Sequence, residues 1–306
     1  MKKFAKITAI IALVLAVLGL VLTIIGALGG GHQLIRTFAK EGRLSFGPED
    51  LEWFDGISIV VDEDSTITFN NKYEIITAGN YEFTATEEEV DSFVFELVVG
   101  DVDIKQGTGE NWEVSIDGIG KYQTYVDDGT LYVVGGEGGI ISEFGSVTIV
   151  IPQTEQLKRT EICLDAGDMD IYTIVSEDIE INAGAGDISI ESAYAENFEV
   201  AVGAGQVQVE GGEIGNLEVS VGMGAAYITG DITGNVDGAV AMGELEVEVL
   251  NSEEGNHNYN ISCAAGEVQI GRKSYAGVGN SVELDNGADT TYNLECSMGR
   301  IEVSFK

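Results

Sequence analysis

From Glu161 to the C-terminus, apolar and polar residues alternate with period two, broken at regular intervals by glycine. Gly167, Gly186, Gly205, Gly224 and Gly243 are each 19 residues apart; Gly266 follows after 23 and Gly299 after 33. Two residues past each glycine stand Met169, Ile188, Val207, Ala226, Leu245, Val268 and Ile301. Four past it stand Ile171, Ile190, Val209, Ile228, Val247, Ile270 and Val303. Three before it stand Leu164, Ala183, Val202, Val221, Val240, Cys263 and Cys296. Period-two alternation is the signature of strands with one buried face, and a fixed repeat signals stacked units. The pattern predicts two short strands per unit, joined by a tight turn at a glycine that tolerates positive φ and close backbone approach. One unit has nothing to bury its apolar face against. Stacking units about 4.8 Å apart closes a continuous core between parallel sheets. The predicted fold is therefore all-β, a β-solenoid over residues 161–306. Its longer spacings, Ser252–Asn258 and Ser274–Thr290, are expected as extruded loops.

Upstream, FELVVGDVDI around Gly100 is an outlying copy of the unit. The rest of 56–160 is less regular and reads as a mixed β region leading into the repeats. Hairpin turns are expected at Asp127–Asp128–Gly129 and Ala78–Gly79–Asn80. The final strand, Arg300–Lys306, is expected as an open sheet edge available for self-association, with Arg300 and Lys306 as alternative gatekeepers against it.

Residues 7–28 (ITAIIALVLAVLGLVLTIIGAL) carry neither charge nor proline. At helical rise they span about 33 Å, against a hydrocarbon core of about 30 Å. Lys2, Lys3 and Lys6 precede them and favour a cytoplasmic N-terminus, residues 1–6. This reads as a single-pass signal anchor; the competing reading is a cleaved signal peptide, whose apolar core is shorter, about 7–15 residues. Either way the remainder faces outward. Residues 29–55 are expected as a stalk with one short helix near Pro48–Trp53.

The balance of 52 Asp+Glu against 15 Lys+Arg gives a formal net charge of -37, which repels phosphate backbones and excludes nucleic acid as a partner. With 41 glycines, only 2 prolines and 44% hydrophobic residues, the chain is neither collagen-like nor a disordered linker.

The segment VTIVIPQTEQLKRTEICLDAGDMDI resembles the "putative adhesin" family, domain of unknown function 4097, in which a strand ending in Pro leads into strand–Gly–Asp–strand units. Val147–Pro152 and the units at Gly167 and Gly186 match best, and the resemblance runs over roughly residues 90–306. Later units depart, with Ala225, Glu244, Glu267 and Arg300 where Asp is common. The resemblance implies a surface-exposed β-solenoid, related in some bacteria to envelope stress responses, and carries over no catalytic residue.

Candidate chemistry is sparse. Asp168, Asp170 and Asp187 are expected on one outer face, either as weak calcium candidates or as a solvated acidic surface. Cys263 and Cys296 share an inward position on adjacent units, either as a disulfide or as two buried thiols; Cys163 points outward. His32 and His257, placed in the stalk and a loop, form no triad. Tyr172, Tyr194 and Tyr227 lie near the second strand of successive units, and Tyr122, Tyr125 and Tyr132 cluster upstream, as aromatic platforms or pleat-covering side chains. No enzyme or cofactor is expected. The sequence points to a membrane-anchored, extracytoplasmic module for adhesion or interaction with an envelope or surface partner, protein or glycan. An envelope-stress sensor and a self-assembling scaffold are the alternatives.

Overall fold

The computed structural model describes residues 69–86, 89–137, 145–152, 156–276 and 279–306. The apolar run 7–28 and the stalk 29–55 lie outside them. Among the described residues no helix is long and apolar enough to cross a membrane. They form twenty strands: β1 Ile76–Thr86, β2 Ser92–Val99, β3 Asp101–Gln106, β4 Asn111–Asp127, β5 Thr130–Glu137, β6 Ser146–Ile151, β7 Leu157–Ala166, β8 Asp168–Ala183, β9 Asp187–Val202, β10 Gln206–Val209, β11 Gly212–Val221, β12 Ala225–Ile232, β13 Val236–Val240, β14 Glu244–Val249, β15 His257–Cys263, β16 Glu267–Ile270, β17 Lys273–Ala276, β18 Asn280–Leu284, β19 Thr290–Cys296 and β20 Arg300–Phe305.

Strands of the repeats stack in parallel with equivalent positions in register. Met169 pairs with Ile188, Ile188 with Val207, Val207 with Ala226, and Ala226 with Leu245. The residues two and four past each glycine are buried throughout the series, from Val102 and Ile104 to Ile301 and Val303. Each buried Val or Ile contributes about 1.5–3 kcal/mol relative to exposure. The copy at Gly100 is a full member: Leu97 pairs with Leu164, and Ile104 with Ile171.

Two strands per unit is an undercount. A third segment bridges them, pairing Ile174 with Ala193 and Ile214 with both Ala195 and Ile232. Ile174, Ala193, Ile214 and Ile232 are all buried, closing the core on its third side.

The shared glycines stack on one another. A Cβ at Gly205 would collide with the carbonyl oxygen of Gly186, one at Gly224 with that of Gly205, and one at Gly243 with that of Gly224. Of the shared glycines, Gly167 alone has a clearly positive φ, 111°. Close backbone approach, rather than φ, therefore fixes glycine at this turn. The following amides reinforce the stack: Gln206 N donates to Gly186 O at 3.1 Å and Ala225 N to Gly205 O at 3.0 Å.

The stacking order departs from the sequence order at both ends. The Gly299 rung lies directly on the Gly243 rung, through Leu245–Ile301 and Val240–Cys296, and the Gly266 rung lies beyond it, through Val268–Ile301 and Cys263–Cys296. β20 is thus bonded on both sides and is not the open edge expected from its place in the chain. Two local fits favour this insertion. Leu294, together with Leu245, fills the space over Gly238, the one gap in its apolar column. Arg300 separates Glu244 from Glu267, which direct stacking would place carboxylate on carboxylate. Ser274–Thr290 is not an extruded loop: it supplies β17 and β18, which cover β16 and β15 antiparallel. At the other end β5 and β6 form a rung outside the Gly100 rung, and β4 crosses both antiparallel, with β1 antiparallel on β4. The turn Asp128–Gly129, with φ of 49° and 78°, is the expected two-residue hairpin between β4 and β5. Ala78–Gly79–Asn80 instead runs inside β1.

Candidate functional site

On the face following the glycines, side chains one residue past each glycine form an outward column. Asp168 neighbours Asp187, Asp187 neighbours Gln206, and Gln206 neighbours Ala225. In the column two residues further on, Asp170 lies between Asp103 and Ser189. The three calcium candidates Asp168, Asp170 and Asp187 thus share an exposed face as expected. No group of three or more His, Cys, Asp or Glu side chains among the described residues is disposed to hold a metal ion. Further along, Arg300 sits between Glu244 and Glu267; its guanidinium bonds Glu302 and approaches Glu244 Oε1 at 3.8 Å. The acidic column thus carries its counter-charge between its two glutamates.

A longer acidic row lies on the face preceding the glycines. Glu161, Glu180, Glu199, Glu218 and Asp237 occupy successive rungs in register, continued by Asn293 and Asn260. Arg159 bonds Glu161 at 3.1 Å and Glu180 at 3.0 Å. Glu199 lies beyond that reach. Burial first, then the charges of Glu180 and Glu218, push its carboxyl above the usual range, against a lowering by Arg159. The row ends where amides take over: Asn293 Nδ2 donates to Asp237 Oδ1 at 2.5 Å and Asn260 Nδ2 to Asn293 Oδ1 at 2.8 Å. A parallel amide ladder runs beside it, Asn197 donating to Asp178 at 2.8 Å and Asn216 to Asn197 at 3.1 Å. Backbone register sets these carboxylates in one column at about one strand spacing, 4.8 Å.

Cys263 and Cys296 are Cα partners on neighbouring strands, both buried and neither in a disulfide. Burial, ahead of the neighbouring Cys263, pushes the Cys296 thiol up to about 11. His257 is not a loop residue: it begins β15 and is buried. Its ring bridges Ser252 Oγ at 2.8 Å and Thr290 Oγ1 at 2.7 Å and packs 4.4 Å from Tyr292 and 5.6 Å from Phe305. Burial lowers its pKa. This is a packed corner, where the partner of the imidazole is a hydroxyl rather than the carboxylate of a triad. Tyr172, Tyr194 and Tyr227 make no platform. Tyr194 pairs with Val175, Tyr227 with Gln208, and Tyr172 adjoins the Ile171–Ile190 pair. Tyr125 and Tyr132 stack at 4.9 Å, joined by Tyr73 at 4.1 Å from Tyr125, while Tyr122 is buried apart from them.

An open groove of 620 Å³ runs beside the glycine column, lined in part by Met223, Met242, Glu244 and Arg300. Met223, Met242 and Met298 hold the residue before the shared glycine on three successive rungs, and all are exposed. Their contiguity is hidden in the sequence because the Gly266 unit, with Ala265 at this position, intervenes.

Solved structures similar to the chain include a "putative adhesin" from Parabacteroides distasonis, 13% identical, covering 74% of this chain and 97% of that one, at a TM-score of 0.44. They also include a "putative lipid binding protein" from the same organism, 15% identical, covering 73% and 96%, at 0.45. A "putative adhesin" from Parabacteroides merdae is 11% identical, covering 74% and 98%, at 0.41. No curated protein matches. The Toastrack DUF4097 family matches residues 90–298, from just before the Gly100 rung to the Gly299 turn, and the chain belongs to that family.

Proposed function

We propose that the protein is a non-enzymatic surface-interaction module: a β-solenoid held at a membrane by residues 7–28, with its N-terminus cytoplasmic and its stacked strands outside the cell. The row Glu161–Glu180–Glu199–Glu218–Asp237 carries this reading. Arg159 answers Glu161 and Glu180 and Asn293 answers Asp237, but Glu199 and Glu218, about 4.8 Å apart between those contacts, repel and cost stability, which a scaffold role alone does not require. The row presents a straight, preorganised anionic line to a cationic partner on the envelope or a neighbouring surface. The resemblance to the "putative adhesin" family and the lysines preceding the apolar run support the same placement.

The test uses the full chain in detergent or vesicles, incubated with native envelope material with and without calcium. The reading expects capture that weakens with salt and is lost in Glu199→Lys/Glu218→Lys. Protease added to intact cells should remove the β region. Capture that is indifferent to both charge changes, or a β region protected in intact cells, contradicts it.

A further inference from the structure

Three of the chain's five methionines stand in one line at the turns. Met223, Met242 and Met298 are 53%, 47% and 62% exposed. Their backbones are fixed: Met223 N donates to Gly203 O, Met242 N to Gly222 O and Met298 N to Ala241 O, each at 2.8 Å. Successive Cα atoms are therefore about one strand spacing, 4.8 Å, apart. The turn itself does not call for methionine, since Ala185, Ala204 and Ala265 make the equivalent hydrogen bonds on other rungs. Packing does not call for it either, because all three side chains are exposed, Met223 and Met242 beside an open groove.

Methionine has three rotatable bonds, and its sulfur reaches about 4 Å from Cα. The two outer backbones lie about 4.8 Å to either side of Met242, so the outer sulfurs stop short of it but come within bonding distance of an ion held above it. Thioether sulfur is a soft, neutral ligand that selects Cu(I) over hard divalent cations. Asp187 and Glu244 line the same groove with one cation, Arg300, whose guanidinium bonds Glu302 and approaches Glu244, so the lining stays net acidic. We propose that Met223, Met242 and Met298 form a three-thioether site for Cu(I). The metal enters and leaves as Cu(I), and the neutral ligands release no proton on binding.

The last point separates this site from the buried pair Cys263 and Cys296, which must lose protons to ligate. The full chain is titrated with Cu(I) anaerobically against a chromophoric Cu(I) chelator at pH 5.5 and 7.5. About one equivalent is expected at both pH values with similar affinity, retained in Cys263→Ala/Cys296→Ala and lost in Met223→Ala/Met242→Ala/Met298→Ala. Alanine at the same turn elsewhere makes the triple variant compatible with the fold, which an unchanged thermal transition verifies. X-ray absorption of the loaded chain should show a sulfur-only shell. No Cu(I) withdrawn from the chelator, equal binding by the triple variant, or affinity that climbs steeply with pH overturns the proposal.

Discussion

Asn293 donates its side-chain amide to Asp237 at 2.5 Å, across 56 residues of chain. That contact marks where the last unit of the sequence folds back to stack on the Gly243 rung, leaving the Gly266 unit outside it. The consequence is an end protected by β17 and β18 instead of a bare final strand.

The glycine column predicts a sharp positional contrast. Gly205→Ala puts a methyl group into the Gly186 carbonyl and should destabilise by about 3 kcal/mol, because backbone rather than a side chain must move. Gly255→Ala, with nothing within 4 Å, should stay within about 0.5 kcal/mol of the parent. Urea unfolding of both variants measures the difference.

The acidic row predicts a gain on neutralisation. Glu199→Gln removes a carboxylate that burial and two like neighbours disfavour. It should stabilise by about 0.5 kcal/mol at low salt, since the site is partly screened by solvent, and the part owed to Glu180 and Glu218 should be lost at 1 M salt while the part owed to burial stays. Chemical denaturation at two ionic strengths checks both parts.

His257 predicts a pH dependence of defined sign. Its folded pKa lies below the unfolded value, so the neutral ring contributes stability that is present above about pH 6.5 and is lost as pH falls through the folded pKa. The acidic surface gains stability over the same range as repulsion is relieved, so the readout is the difference from His257→Gln. Between pH 7 and 5 the parent should lose stability relative to that variant. Parallel curves would show that the corner does not bind a proton differently on folding.

The paired thiols predict protection. Iodoacetamide should leave Cys263 and Cys296 unmodified in the native chain and alkylate both after denaturation, because both are buried and the Cys296 thiol is raised to about 11. Peptide mass spectrometry reads the two states. Recovery of a linked Cys263–Cys296 peptide would show a bridge instead.

The inward columns were legible in the sequence because period two and the shared glycines specify local register, and every residue two or four past a shared glycine is buried. What was not legible depends on contacts between distant segments. Nothing local says that Ile301 follows Leu245 in space while Val268 waits outside. Arg300 was visible as a departure from the acidic pattern, and its position between Glu244 and Glu267 now accounts for it. The Glu161–Asp237 row was present as polar alternation, but its straightness required the register of five strands. The methionine line stayed hidden for the same reason as the rung order. His257 lay in a stretch without periodicity, so its burial depended on Tyr292 and Phe305 from far along the chain.

The rung order is tested most directly by paired cysteines in a background lacking the native ones. Glu246, Glu302 and Gln269 occupy one outward column, with Glu302 in the middle. Glu246→Cys/Glu302→Cys should oxidise readily to an intramolecular disulfide, since adjacent strands lie about 4.8 Å apart. Glu246→Cys/Gln269→Cys, separated by two spacings, should remain reduced under the same conditions. Crosslinking of the second pair with none of the first would contradict the account.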